Sequence, residues 1–227
     1  MDVTVDTLVK QVPLGQGRLL ERSLKDSVEG RFLTVHMSWD YKPGRLTWTN
    51  KPPLEQAPWS GSHNKPRIPI STISPPDVSF EGPSRDIVDF YSSGTHAYFL
   101  SDKLVALIEA LDPGSLDHRS ITIHARDGEV NYNIVMPART LEAVDPIQTD
   151  IFINDRNYDG RWLRTIQFPS GVVFQTDLPV DVQSFSDMDV RGWFWSRVLI
   201  NAAKAAGIKG VYTMLPGRVS GSTIDYL

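Results

Sequence analysis

The feature that most constrains this chain is a short unit that it uses twice. Tyr98-Phe99-Leu100 is an aromatic and apolar run that leads into Ser101, where the spacing of apolar residues changes. Leu104, Leu107, Ile108 and Leu111 then fall at i, i+3, i+4 and i+7, one apolar stripe of a helix. A serine at the N-cap accepts from an orphan backbone N–H, and Asp102 in the first turn suits the positive helix end. Pro113-Gly114 stops the helix. About 95 residues further on, Trp193-Phe194-Trp195-Ser196 stands where Tyr98-Phe99-Leu100-Ser101 stood. Leu199, Ala202, Ala203 and Ala206 repeat the stripe, Gly207 closes it, and Ile208-Lys209-Gly210-Val211-Tyr212-Thr213-Met214 follows as a strand. Ser120-Ile121-Thr122-Ile123-His124 fills that place in the first copy. The unit is therefore strand, serine-capped helix, strand. Two copies are too few for a solenoid and predict a duplicated element inside one fold, or two halves packed together.

The remaining segments read mostly as strands joined by short turns. Leu33, Val35, Met37 and Trp39 alternate with Phe32, Thr34, His36 and Ser38, a period of two that predicts a strand. Lys42-Pro43-Gly44 then turns the chain, so that Leu46-Thr47-Trp48-Thr49 is expected to pair back as a hairpin. Residues 51–83 hold eight of the 16 prolines and show no periodicity, which predicts a long irregular connection, either a linker or an ordered loop pinned by Trp59, Ile68 and Ile70. Asp127-Gly128 and Asp159-Gly160 are hairpin turn signals between alternating segments, and residues 172–175 read as one more short strand. The fold class expected is α+β, mainly antiparallel sheets with two serine-capped helices in a duplicated strand-helix-strand unit. Residues 1–86 are expected to carry the N-terminal hairpin and the Pro-rich segment, and residues 87–227 the paired units, unless the whole is one continuous domain.

Composition narrows the function classes. The 227 residues include no cysteine, which removes disulfides, thiolate metal sites and cysteine nucleophiles together. The first 20 residues have an acidic start and no apolar h-region, and no window approaches the roughly 18 apolar residues that span a bilayer. A cytoplasmic protein with no membrane partner is expected. The formal charge of −4 argues against a general nucleic-acid binder. His36, His63, His96, His118 and His124 fit no standard zinc spacing, so no metal site is expected. Phosphate-cradling glycine loops and a Gly-x-Ser-x-Gly elbow are absent, and no cofactor is expected. Ser101 and Ser196 are explained by capping. Asp155 with Asp159, or Asp187 with Asp189, could share a cleft for acid–base work, but their surroundings read as solvated turns. No catalytic residue stands out, and the chain is not expected to be an enzyme.

Charge is uneven along the chain. Residues 141–190 carry nine acids against three bases, whereas residues 1–70 carry ten bases against seven acids. The acids of the later stretch fall in predicted turns, where they can reach outward.

From residue 88 onward the chain resembles a known family. The residues that carry this are Asp89-Phe90-Tyr91, Phe99-Leu100-Ser101-Asp102-Lys103-Leu104, Ile121-Thr122-Ile123, Asn131-Tyr132-Asn133-Ile134-Val135 and Leu141-Glu142-Ala143-Val144-Asp145. Trp193-Phe194-Trp195-Ser196 and Ala206-Gly207-Ile208-Lys209-Gly210-Val211-Tyr212 look like its C-terminal end. The pattern resembles the divergent immunity proteins of bacterial polymorphic toxin systems, long catalogued as a domain of unknown function. The resemblance implies a non-enzymatic cytoplasmic antidote that binds one cognate protein toxin and occludes its active site. The alternatives are a small enzyme of unknown reaction using loop Asp and His residues, or a non-catalytic adaptor. Toxins that attack nucleic acid carry basic clefts, so complementary acidic residues are expected on the toxin-binding surface. Asp155, Asp159, Asp177, Asp181, Asp187 and Asp189 are the candidates, with Trp162 as an aromatic anchor.

Overall fold

The computed structural model describes residues 31–37, 46–51, 69–93, 97–145, 147–149, 152–158, 161–167, 171–187, 190, 192–214 and 225–226, with the backbone alone at 152–158, 161–167 and 225–226. Its strands in chain order are β1 (Phe32–Met37), β2 (Leu46–Trp48), β3 (Val78–Phe80), β4 (Phe90–Ser92), β5 (Tyr98–Ser101), β6 (Leu116–Ala125), β7 (Gly128–Pro137), β8 (Thr140–Leu141), β9 (Phe152–Tyr158), β10 (Arg161–Gln167), β11 (Ser184–Asp187), β12 (Trp193–Ser196), β13 (Val211–Met214) and β14 (Asp225–Tyr226). The helices are α1 (Asp102–Leu111) and α2 (Arg197–Ala205). The fold is α+β, and among the described residues all but two strand pairings are antiparallel. Among the described residues no helix is long and apolar enough to cross a membrane.

Both helices begin as their sequences dictate. Ser101 Oγ accepts from Leu104 N at 3.2 Å, and Ser196 Oγ accepts from Leu199 N at 3.1 Å. Each serine thereby satisfies one of the orphan donors of a first helical turn. The buried stripes are set slightly differently from the expected ones. In α1 the buried residues are Leu104, Val105 and Ile108, and in α2 they are Leu199, Ile200 and Ala203. Leu107, Leu111, Ala202 and Ala206 are only partly buried. The same three positions after each cap face inward, because each helix packs against its own sheet and against the other helix. Gly207 ends α2 at a φ of 65°, a left-handed conformation that glycine adopts without a Cβ penalty.

The two units build two sheets of one plan. The first sheet has the order β2-β3-β6-β7-β5-β4 and the second β14-β13-β1-β12-β11-β8. In the first, β5 and β6 flank β7 and are both antiparallel to it, so they are parallel to each other. In the second, β12 and β13 flank β1 in the same way. Each helix is therefore the crossover between two parallel strands with an antiparallel strand inserted between them. That inserted strand follows its unit in sequence in the first sheet and precedes it in the second. β7 follows β6 through a tight hairpin, pairing Ala125 with Gly128, whereas β1 arrives from the N-terminal side and pairs Phe32 with Ser196 and Met37 with Val211.

The structure differs from expectation at three places. β1 and β2 do not form a hairpin: β1 lies inside the second sheet, and β2 pairs with β3 at the edge of the first, Leu46 opposite Phe80. A hairpin signal specifies a turn, but a strand with two apolar faces, such as Phe32 to Val35, is stabilised more by a central position than by an edge. The Pro-rich stretch also contains structure, a 3-10 turn at Ile70–Thr72 and strand β3, which runs parallel to β6. The expected strand at 172–175 amounts to one bridge, Phe174 to Val144. The segments around Asp159-Gly160 do pair, with Tyr158 opposite Arg161, while those two residues lie outside the described set.

Each sheet packs apolar residues on both faces. The inner faces share a core with the helices, in which Leu33, Val35, Trp193, Trp195 and Val211 meet Phe90, Leu100, Leu116 and Val135. Tyr98 packs on Trp193 at 4.8 Å between ring centroids, and Trp193 meets Trp195 edge-on at 5.3 Å. Residues 46–91 contribute Trp48, Ile70, Val78, Phe80 and Val88 to the outer core of the first sheet, and residues 141–190 contribute Val144, Val172, Val182 and Val190 to that of the second.

Two carboxylates cross-link the halves in reciprocal fashion. Asp89, before β4, accepts from Ser101 Oγ at 2.6 Å and, with its other oxygen, from Lys209 N after α2 at 2.8 Å. Asp112, just after α1, accepts from Gln183 N and Ser184 N, both at 2.8 Å, and from Arg139 Nη1 at 2.8 and 2.7 Å. Gly210 completes the first contact. A Cβ there would stand 2.6 Å from Val88 Cγ2 and 3.0 Å from the Phe90 carbonyl oxygen, and φ is +89°, so only glycine fits.

Two outcomes are expected. Ser101→Ala and Ser196→Ala should each lower stability by about 1 kcal/mol in denaturant melts, with the loss at Ser196 the larger because Ser196 is fully buried, whereas Ser101 is only partly so. Asp112→Ala should cost roughly 3–5 kcal/mol by removing one side of a buried charged pair and should leave a single cooperative transition. Two separated transitions in the wild type would show that the halves do not share one core.

Candidate functional site

The surface of interest is built on the outer layer of the second sheet. Val144, Val172 and Val182, with Leu141, Phe174 and Leu178 beside them, pack onto Phe32, Phe185 and Phe194. Phe174 sits 5.1 Å from Phe194 and 5.5 Å from Phe185, both nearly edge-on, an arrangement aromatic rings favour. With these apolar residues turned inward, the intervening turns face solvent.

Two of those turns present an aliphatic tip. At the first, Asp145 Oδ1 accepts from Ile147 N and Gln148 N, each at 2.9 Å, and Ile147 is 84% exposed. At the second, Val182 N donates to Pro179 O at 3.2 Å, and Val180 is 86% exposed. Arg31, immediately before β1, fixes this second turn. Its Nη1 donates to Leu178 O at 3.0 Å, and its Nη2 to the carbonyls of Pro179, Val180 and Val182 at 2.9, 2.7 and 2.8 Å. The guanidinium also lies over the Phe32 ring, 4.7 Å from its centroid. Of the three large exposed hydrophobics among the described residues, Ile147, Val180 and Val198, two thus lie in the stretch with the acidic excess.

The seven expected site residues are placed as follows. Asp177 and Asp181 are exposed and bracket Val180 in sequence. Asp187 does not reach outward. It is 7% exposed, its Oδ2 accepts from Ala143 N at 2.8 Å and its Oδ1 from Val190 N at 2.9 Å, so it ties strand β11 to its cover. A carboxylate that accepts backbone N–H groups in a buried turn is a structural element, and the turn-like sequence around it gave no sign of the enclosure. Asp155 and Trp162 lie on β9 and β10, opposite Arg164 and Asn157, in a two-stranded sheet paired with neither larger one; their side chains are outside the described set. Asp159 and Asp189 lie outside the described residues altogether.

Sequence reasoning missed Arg31, Ile147 and Val180. An arginine before a strand and two aliphatics beside prolines carry no periodic signal. Only the three-dimensional return of the chain brings Arg31 to the 178–182 turn.

Elsewhere the reactive groups are committed to structure. Ser101 Oγ donates to Asp89, and Ser196 Oγ donates to a glutamine amide, which is no base. Tyr132 donates to Val88 O at 2.8 Å, and Tyr91 accepts from Val88 N at 3.2 Å; burial raises both hydroxyls above their ordinary range and keeps them protonated. His124 faces Glu129 across the β6–β7 hairpin at 3.2 Å on an exposed face. Among the described residues no group of three His, Cys, Asp or Glu side chains is placed to hold a metal ion.

His36 generates a pH prediction. It stacks on Tyr212 at 5.2 Å, and burial lowers its pKa from 6.5. The folded state then binds fewer protons than the unfolded chain, so stability rises with pH. The contribution is complete above pH 6.5 and is lost as pH falls from there through the folded-state pKa. Denaturant midpoints between pH 7.5 and 5 should show this slope, and His36→Phe should flatten it.

Neither protein-family models nor curated proteins gave a match to this chain.

Proposed function

We propose that this chain is an immunity-type binding protein that neutralises one cognate protein toxin by occluding its active site. The observation that carries this is the pair of exposed aliphatic tips, Ile147 and Val180, each on a turn pinned by a charged side chain, in the one strongly acidic stretch of the chain. A rigid exposed aliphatic loses little conformational entropy on binding, which is the property of an anchor. Asp177 and Asp181 beside Val180 supply the charge that a phosphate-binding cleft attracts. The family resemblance supports the same reading, since its segments fall on β4, β5, the start of α1, β6, β7, β8, β12 and β13, and the last two flank α2. The toxin is a protein that acts on nucleic acid or nucleotides and holds phosphate in a basic cleft.

Co-expression with the polypeptide encoded by the adjacent gene tests the reading, scored by rescue of growth and by co-purification. The double variant Asp177→Lys, Asp181→Lys should slow association about tenfold at low salt. The difference should shrink as salt is raised, because exposed charges are screened over about 10 Å at 0.1 M. Equal association rates at all salt concentrations would remove this turn from the interface.

A further inference from the structure

We propose that Arg31 is a positioning residue for the partner-facing surface: its guanidinium holds the 178–182 turn in the shape that presents Val180. The inference rests on the reading of that surface as the toxin-binding one. Its physical basis is the division of labour along one loop. Four acceptors within five residues, the carbonyls of Leu178, Pro179, Val180 and Val182, are taken by one cation, and the two donors that follow, Gln183 N and Ser184 N, by one anion, Asp112. Two side chains from distant parts of the sequence thereby hold four carbonyls and two amides of this short excursion. Val180 and Asp181 at its tip are left to face solvent.

The geometry requires arginine at this position. Arg31 is itself fixed from two sides: its carbonyl accepts from Arg197 N at 2.9 Å, at the start of α2, and its side chain rests on Phe32. From that base a planar fork reaches four carbonyl oxygens within 3.0 Å. A lysine ammonium has three donors at one point and cannot span the same set. The turn thus depends on docking of β1 in the second sheet, and the N-terminal strand acts on the binding surface without being part of it.

The test uses the full chain with Arg31→Gln and Arg31→Lys, and two measurements. The first is amide hydrogen exchange. In Arg31→Gln, exchange at Val182 N, which donates to Pro179 O, should speed up about tenfold, while Gln183 N and Ser184 N stay protected by Asp112. The second is binding to the polypeptide encoded by the adjacent gene. Loss of the clamp should raise the dissociation rate. Loss of a positive charge alone would instead raise the association rate with a basic partner, so the two effects separate. Arg31→Lys keeps the charge and should still show faster exchange and faster dissociation, smaller than in Arg31→Gln. Unchanged exchange at Val182 overturns the inference, as does loosening that extends to Gln183 and Ser184, since Arg31 would then stabilise the whole fold. Faster exchange with unaltered dissociation also overturns it and places the partner elsewhere. If the wild type itself fails to bind, the functional reading falls first and the positioning role with it.

Discussion

One carboxylate holds the two halves in register. Asp112 follows directly on the C-terminal end of α1, where the helix dipole disfavours a negative charge, and it is 3% exposed. Both facts would cost free energy if the group stood alone. Arg139, in the link between β7 and β8, neutralises it, and two amides at the start of β11 fill its remaining lone pairs. The acceptor capacity of the side chain is used by both halves at once, so neither can shift relative to the other without leaving a buried charge unsatisfied. Asp89 makes the reciprocal link with one hydrogen bond, to Lys209 N. The contact between Gly210 and the backbone around Phe90 adds a steric limit to these polar ones.

The two sheets show how far a shared plan can be carried by different connectivity. In both, a serine caps the crossover helix, the residues three, four and seven positions after the cap face the core, and a strand precedes the unit as an antiparallel neighbour. Only the source of the middle strand differs. A parallel pair joined by one helix leaves a gap that a single antiparallel strand fills, and the sheet is indifferent to which end of the chain supplies it. What it requires is two apolar faces, since both sides of the middle strand are covered. Phe32, Leu33 and Val35 meet that demand in β1, and Tyr132, Ile134 and Val135 in β7.

The helices, their caps and the duplicated unit were legible because their determinants are local: a serine, a stripe of period 3.6 and a glycine or proline stop. The destination of β1 was not, because alternation along Phe32 to Met37 specifies a strand without specifying its neighbours. The same limit applies to the acids. Asp177, Asp181 and Asp187 look alike in sequence, yet the first two are solvated and the third is enclosed by backbone donors of Ala143 and Val190. Burial of a charge is decided by which N–H groups the fold brings to it. Arg31 is the opposite case, an unremarked cation made important by four carbonyls that arrive from the far side of the sequence.

The origin of β1 also orders events in time. The first sheet draws its strands from residues 46–137, so its pairings are complete once that part of the chain has emerged from the ribosome. The second cannot close until β12 and β13 exist to receive a strand synthesised near the beginning, Phe32 against Ser196. Loop-closure entropy for that pairing is set by well over half of the chain, and long-range pairings of this kind slow folding. Through most of synthesis β1 is an apolar strand without a sheet, an exposed edge that invites pairing with other chains. The late entry of β1 is therefore the step at which a nascent chain of this design is most vulnerable, and the step that closes the second sheet onto a first one already formed.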